Sequence, residues 1–154
     1  ARGMTPLHAG MALFYMQLIS LIGTFFAPNL LLRLKQQSGV IATVGVGYLV
    51  GFSALFIHQE WITFAALTLI GIGSGASLSI AYTLISMRSA EERTTAKLSG
   101  MVQSAGYVLA ALGPFVFGVF LDLFNNWNLL IWFLLLMTLQ FIALGIPAGK
   151  DQKI

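Results

Sequence analysis

The sequence predicts an all-α integral membrane protein, a bundle of five transmembrane helices. Three observations carry that prediction. Hydrophobic residues make up 58% of the 154-residue chain and charged residues 8%, with a mean hydropathy of +0.88, whereas soluble domains carry about 25% charged residues. The few charges cluster, so that they cut the chain into five uncharged intervals at 9–32, 36–59, 61–87, 98–121 and 123–149. Each interval can span a bilayer, since ~20 residues at about 1.5 Å rise match a hydrocarbon core of about 30 Å. Finally, nothing alternates apolar with polar residues over the roughly 10 positions of a transmembrane strand, which argues against a β-barrel. The expected helices cover 9–32, 38–57, 61–87, 98–122 and 128–147 of a single membrane domain.

Composition excludes several function classes. With no cysteine in the chain, disulfide scaffolds, thiol redox chemistry and cysteine-ligated metals are excluded. A net charge of +3 is spread over short loops, which is a membrane-loop pattern and not a nucleic-acid-binding face. No Asp, Glu, Lys or Arg lies inside an expected span, Asp122 standing at the last position of the fourth. The histidines, His8 and His58, fall at span ends without clustered carboxylates and read as solvated interface residues. No enzyme, metal site or cofactor is therefore expected. The apolar run beginning near Ala9 lacks the short core and cleavage site of a signal peptide, and the chain is expected to be a piece of a longer protein.

Orientation follows from the basic residues. Arg33 and Lys35 follow the first helix, Arg88, Arg93 and Lys97 the third, and Lys150 and Lys153 the fifth, so seven of the eight share one side. That side is read as cytoplasmic, which places the N-terminus of the chain outside and its C-terminus inside. Trp61 and Trp127 then mark external ends, where indoles anchor at headgroup level.

The first helix carries Gln17, Ser20 and Thr24, with Pro28 near its cytoplasmic end. The Gln17 amide either ties two helices together or contacts a ligand; Pro28 is expected to bend or end the helix. In the second helix Gly47 and Gly51 have the four-residue spacing that lets helix backbones approach. The third is the most informative. Gly71, Gly75, Ser79 and Thr83 recur every four residues along one stripe, flanked by Ser74, Ser77 and Tyr82. Either this stripe packs tightly on a neighbour with its hydroxyls bonded back to carbonyls, or its exposed backbone faces substrate. The fourth helix repeats the device with Gly106, Ala110, Pro114 and Gly118, while Gln103 and Tyr107 share one face and Gly113-Pro114 predicts a kink. Leu, Ile, Phe and Trp dominate the fifth, which is expected to face lipid.

These residues resemble a known family. The run Gly71 to Ala76, then Leu84, Ile85 and Arg88, the stretch Lys97 to Tyr107 and Ala110 to Pro114 are similar to the cyanate and nitroimidazole transporters of the major facilitator superfamily. Gln17-Leu18, Pro28, Arg33 and Gly118-x-x-x-Asp122 with Trp127 extend the likeness over nearly the whole chain. The resemblance implies that the five helices are the eighth to twelfth of twelve in a bacterial inner-membrane transporter, with the N-terminal half and the seventh helix missing. It implies a substrate cavity between halves, of which this chain holds one wall, with Gln17, Ser74, Tyr82, Gln103 and Tyr107 along it. Gly71, Gly75, Gly106, Gly113, Pro114 and Arg33 would serve helix packing or gating. Two departures matter. The family's loop signature aligns with Pro28 to Arg33 but lacks its carboxylate, and Ser74 stands where the family often has glutamine.

The leading functional expectation is secondary transport of a small polar or anionic solute, cyanate-like or nitroimidazole-like. Its partners are that solute, membrane lipid and the missing half. The rival is an autonomous five-helix module forming a pore or scaffold by self- or partner assembly.

Overall fold

The computed structural model describes residues 5–33, 37–88 and 92–149, and among them every long element is helical. The elements are α1 (Pro6–Arg33), α2 (Gln37–Ala54), α3 (Glu60–Arg88), α4 (Glu92–Phe124) and α5 (Trp127–Ala148). All five are long and apolar enough to cross a membrane, as the intervals between charges require. Boundaries differ from the expected ones where the local chemistry decides. Three successive amides, those of Leu55, Phe56 and Ile57, bond to the carbonyls three residues back at 3.0 to 3.1 Å. This tighter winding closes α2 at Ala54. At the other extreme, α4 extends back to Glu92 through Arg93 and Lys97, because charges at a helix end outside the apolar span carry no desolvation cost. The α4–α5 connection is two asparagines long. Asn125 takes a left-handed φ of 45°, which asparagine tolerates, and the Asn126 side chain caps α5 by accepting from the Asn128 amide at 3.0 Å.

α3 is the centre of the bundle, with α1 along one side and α2 along another, while α2 also packs on α5. The buried core lies where α1, α2 and α3 converge. Leu31 is fully buried there, with Ala27, Val40, Ile41, Ala76 and Ile80 around it. Aromatic rings extend the contacts outward: Tyr48 stacks on Phe52 and meets Phe141 of α5 edge-on. α4 makes only small contacts with α3 and α5, and no residue of its apolar span is buried.

Three expectations about individual helices need correction. Pro28 does not end α1, which continues through it to Arg33. The close approach assigned to Gly47 falls elsewhere, since nothing lies within 4 Å of where a Gly47 Cβ would stand. Gly45 instead lies against Ile142 of α5, and Gly51 against Ile70 of α3. Finally, α5 is not lipid-facing all round. Leu135 and Thr138 are buried, and Gly145 and Gly149 bring its end against Ile41 and Ser38, where the Ser38 hydroxyl donates to the Ile146 carbonyl at 2.9 Å.

Candidate functional site

The glycine–serine stripe of α3 sets the geometry from which any site is built. A Cβ at Gly71 would stand 2.8 Å from the Met16 carbonyl oxygen, and one at Gly75 would stand 2.7 Å from the Thr24 hydroxyl and overlap the Ser20 carbonyl oxygen. Gly23 of α1 returns the approach, because a Cβ there would overlap the Ile72 carbonyl and lie 2.8 Å from the Ala76 nitrogen. Both backbones therefore touch, as small-residue interfaces in membranes permit. Hydroxyls close the remaining polar valences. Ser79 donates across to the Thr24 carbonyl at 2.8 Å, while Thr24, Ser74 and Thr83 donate back along their own helices to Ser20, Gly71 and Ser79. A hydroxyl bonded to its own helix costs little in hydrocarbon. No described buried side-chain nitrogen or oxygen lacks a partner.

With α1 and α2 occupying two sides of α3, a third side stays open. Ser74 is half-buried at its edge, and Leu78 and Ala81 below it are exposed. Tyr82, two turns from Ser74, receives a hydrogen bond from the Gln103 amide of α4. That bond is a polar link across the otherwise slight α3–α4 contact. Tyr107, one turn further along α4, is 68% exposed. The structure thus joins Tyr82 to Gln103, sets Ser74 two turns from Tyr82 on α3 and Tyr107 one turn from Gln103 on α4, and leaves Gln17 apart on α1. The Gln17 side chain is exposed, and its backbone carbonyl accepts from the Ser20 hydroxyl at 2.7 Å. Neutral amide, phenol and hydroxyl groups at membrane depth can donate to or accept from a small solute without a fixed charge.

The residues named for packing or gating fall into two groups. Gly71 and Gly75 are buried against α1. Gly106 and Gly113 face open space, with nothing within 4 Å of a Cβ at either, and Pro114 is exposed within a continuous α4. Arg33 is the exposed last residue of α1.

Sequence reading missed two interhelical ties. Tyr15 of α1 meets the Thr68 hydroxyl of α3 at 2.8 Å, and Ser77 of α3 donates to the Tyr48 hydroxyl of α2 at 3.2 Å. The available signal was a phenol inside an apolar run, since such a hydroxyl needs a partner in hydrocarbon. Two cavities, of about 930 and 270 Å³, lie on other faces, and none of Gln17, Ser74, Tyr82, Gln103 or Tyr107 lines them.

Comparison with known proteins places this geometry. The family model of the Major Facilitator Superfamily matches residues 1–151. A protein of Bacillus subtilis (strain 168) named as an uncharacterized transporter, YycB, is 39% identical over the whole chain. A 2-nitroimidazole transporter of Escherichia coli (strain K12) is 33% identical over the same extent. The chain spans 39% of the length of each. No solved structure matches it. Matched along nearly its full length by the family model and by two transporters at more than 30% identity, the chain belongs to the major facilitator superfamily.

Proposed function

We propose that this chain forms one wall of the substrate pathway in a bacterial inner-membrane transporter for a small polar or anionic solute. The observation that carries the reading is the Tyr82–Gln103 bond between α3 and α4; Ser74 and Tyr107, within about two turns of it on the same helices, add neutral donors and acceptors to the proposed wall. Small solutes held by amide and hydroxyl hydrogens bind weakly and release readily, as a carrier needs. The relative named as a 2-nitroimidazole transporter supports a compact, polar, planar solute. α4 is the helix that most needs a partner, and the remainder of a longer polypeptide would supply it. In this reading the N-terminus of the chain lies outside and the C-terminus in the cytoplasm.

The test is made in the longer polypeptide, measuring uptake and membrane abundance together. Gln103→Leu and Tyr82→Phe should each lower transport while abundance stays near that of the unaltered protein. Ser86→Ala, nearer the cytoplasmic end, should show a smaller effect. If abundance falls in step with transport, the Tyr82–Gln103 bond is a structural tie and the substrate-facing assignment fails.

A further inference from the structure

The larger cavity lies far from the open α3–α4 region, at the end of the bundle that holds the start of α1 and the α2–α3 connection. It has a volume of about 930 Å³ and runs along α1 from His8 to Leu18 and along α3 from Glu60 to Leu67. Ten residues of helix measure about 15 Å, which is half the thickness of a hydrocarbon core of about 30 Å. Its depth is therefore that of one leaflet.

Chemistry divides along the same axis. Its ionisable groups, His8, His58 and Glu60, are at the mouth, beside Trp61, which is 87% exposed. An indole in that position marks the headgroup level. Further in, Met11, Phe14, Leu18, Phe64 and Leu67 form apolar walls, and the hydroxyls among them are already engaged: Thr63, one turn below the mouth, donates to the Gln59 carbonyl at 3.0 Å. Thr68 donates to the Phe64 carbonyl at 2.8 Å, so Tyr15 donates to Thr68 and presents only its ring. A polar solute would find no donor in the depth of the cavity; an alkyl chain would find continuous contact. At the mouth, the His8 amide occupies the Thr5 oxygen, and the Thr5 hydroxyl engages His8 Nδ1 at 2.8 Å. That leaves Nε2 as the available nitrogen of the His8 ring, among the residues lining the mouth.

We infer that this cavity is a site for one phospholipid bearing a primary amine, phosphatidylethanolamine, from the adjoining leaflet. Its acyl chain lies between α1 and α3. The Glu60 carboxylate accepts from the ammonium group, and the His8 and His58 imidazoles face the phosphodiester. A carboxylate at the mouth opposes phosphatidylglycerol, which brings negative charge and no ammonium to offset it. This site is independent of the proposed transport function, since it requires only that the helices span.

The test uses the longer polypeptide purified in mild detergent and mixed with equal amounts of palmitoyl-oleoyl phosphatidylethanolamine and phosphatidylglycerol, with bound lipid counted by native mass spectrometry. The unaltered chain should retain one phosphatidylethanolamine in excess over phosphatidylglycerol. Glu60→Gln should bring the two to parity, Ala12→Trp should fill the crevice and abolish the adduct, and Asp122→Asn on α4 should change neither. Equal retention of both lipids by the unaltered chain overturns the inference, as does an unchanged preference in Glu60→Gln, a variant that leaves the packing intact even if Ala12→Trp fails to fold. Absence of any phosphatidylethanolamine adduct from the unaltered protein, as when a preceding segment fills the crevice, would overturn it equally.

Discussion

Replacing Gly75 by alanine gives the sharpest test of the packing that organises the bundle. The added methyl would stand 2.7 Å from the Thr24 hydroxyl and closer still to the Ser20 carbonyl. Both obstacles belong to α1, and the carbonyl is backbone that cannot rotate away. The helices must therefore separate locally, which for overpacking of this kind costs about 1–3 kcal/mol. Separation also stretches the Ser79-to-Thr24 bond one turn away, an interhelical contact worth about 0.6 kcal/mol on average in membranes. Alanine's helix propensity opposes this by about 1 kcal/mol. The net expectation is destabilisation by roughly 0.5–2.5 kcal/mol. At Gly106 the same change meets open space, so only propensity acts and the variant should be neutral or stabilised by up to about 1 kcal/mol. The assay is equilibrium unfolding by dodecyl sulfate in mixed micelles, followed by circular dichroism. Opposite signs at the two glycines are expected; the same sign at both in the isolated chain would refute the argument.

Further outcomes can be checked with single substitutions. Tyr48→Phe keeps the ring contacts with Phe52 and Phe141 but removes the acceptor for Ser77, so unfolding should shift by about 0.6 kcal/mol and no more than about 2. Tyr15→Phe should behave alike through Thr68; a change near zero at both would mean that these hydroxyls find other partners. The chain has no cysteine, so single cysteines introduced at Gln59, Glu91 and Asp151 report orientation without background. In sealed cells an impermeant maleimide should label position 59 alone, and labelling at 91 would invert the topology. Positions 91 and 151 lie outside the described residues, and this test rests on the sequence.

Span count and membrane class were legible in the sequence because they depend on length and charge alone, both of which are local. Gly71 and Gly75 were legible as a stripe because four-residue spacing fixes a helix face. Which stripe finds a neighbour was not legible. Gly47–Gly51 and Gly106–Gly118 carry similar spacing, yet Gly51 meets Ile70 whereas Gly47, Gly106 and Gly118 meet nothing. Pairing is decided by the placement of a whole partner helix, which no periodicity within one helix encodes. The same limit hid Gly45, whose neighbour Ile142 lies nearly a hundred residues away. Within the candidate site, Gln103 and Tyr82 could each be marked as polar groups needing partners, but not that they would partner each other.

α4 carries the argument furthest, because its face and its surroundings disagree. Its span is the second most apolar of the five and has no buried residue, while Gly100, Gly106, Gly113 and Gly118 each face open space. Glycine offers a lipid-facing helix no contact area, and it weakens the helix relative to alanine by about 1 kcal/mol at each position. In α3 the corresponding glycines are offset by backbone approach to α1. On the function proposed above the offset comes from a helix of the longer polypeptide, and inverted repeats of the kind found in this superfamily would seat it against α4 and α5, as α3 stands against α1 and α2. Gly106→Ala should therefore change sign with context, neutral or stabilising in the isolated chain and destabilising in the longer polypeptide. Measuring the one variant in both backgrounds separates the two readings of the stripe. A stabilising effect in both would leave the α4 glycines without a packing role and return them to the lipid-facing surface.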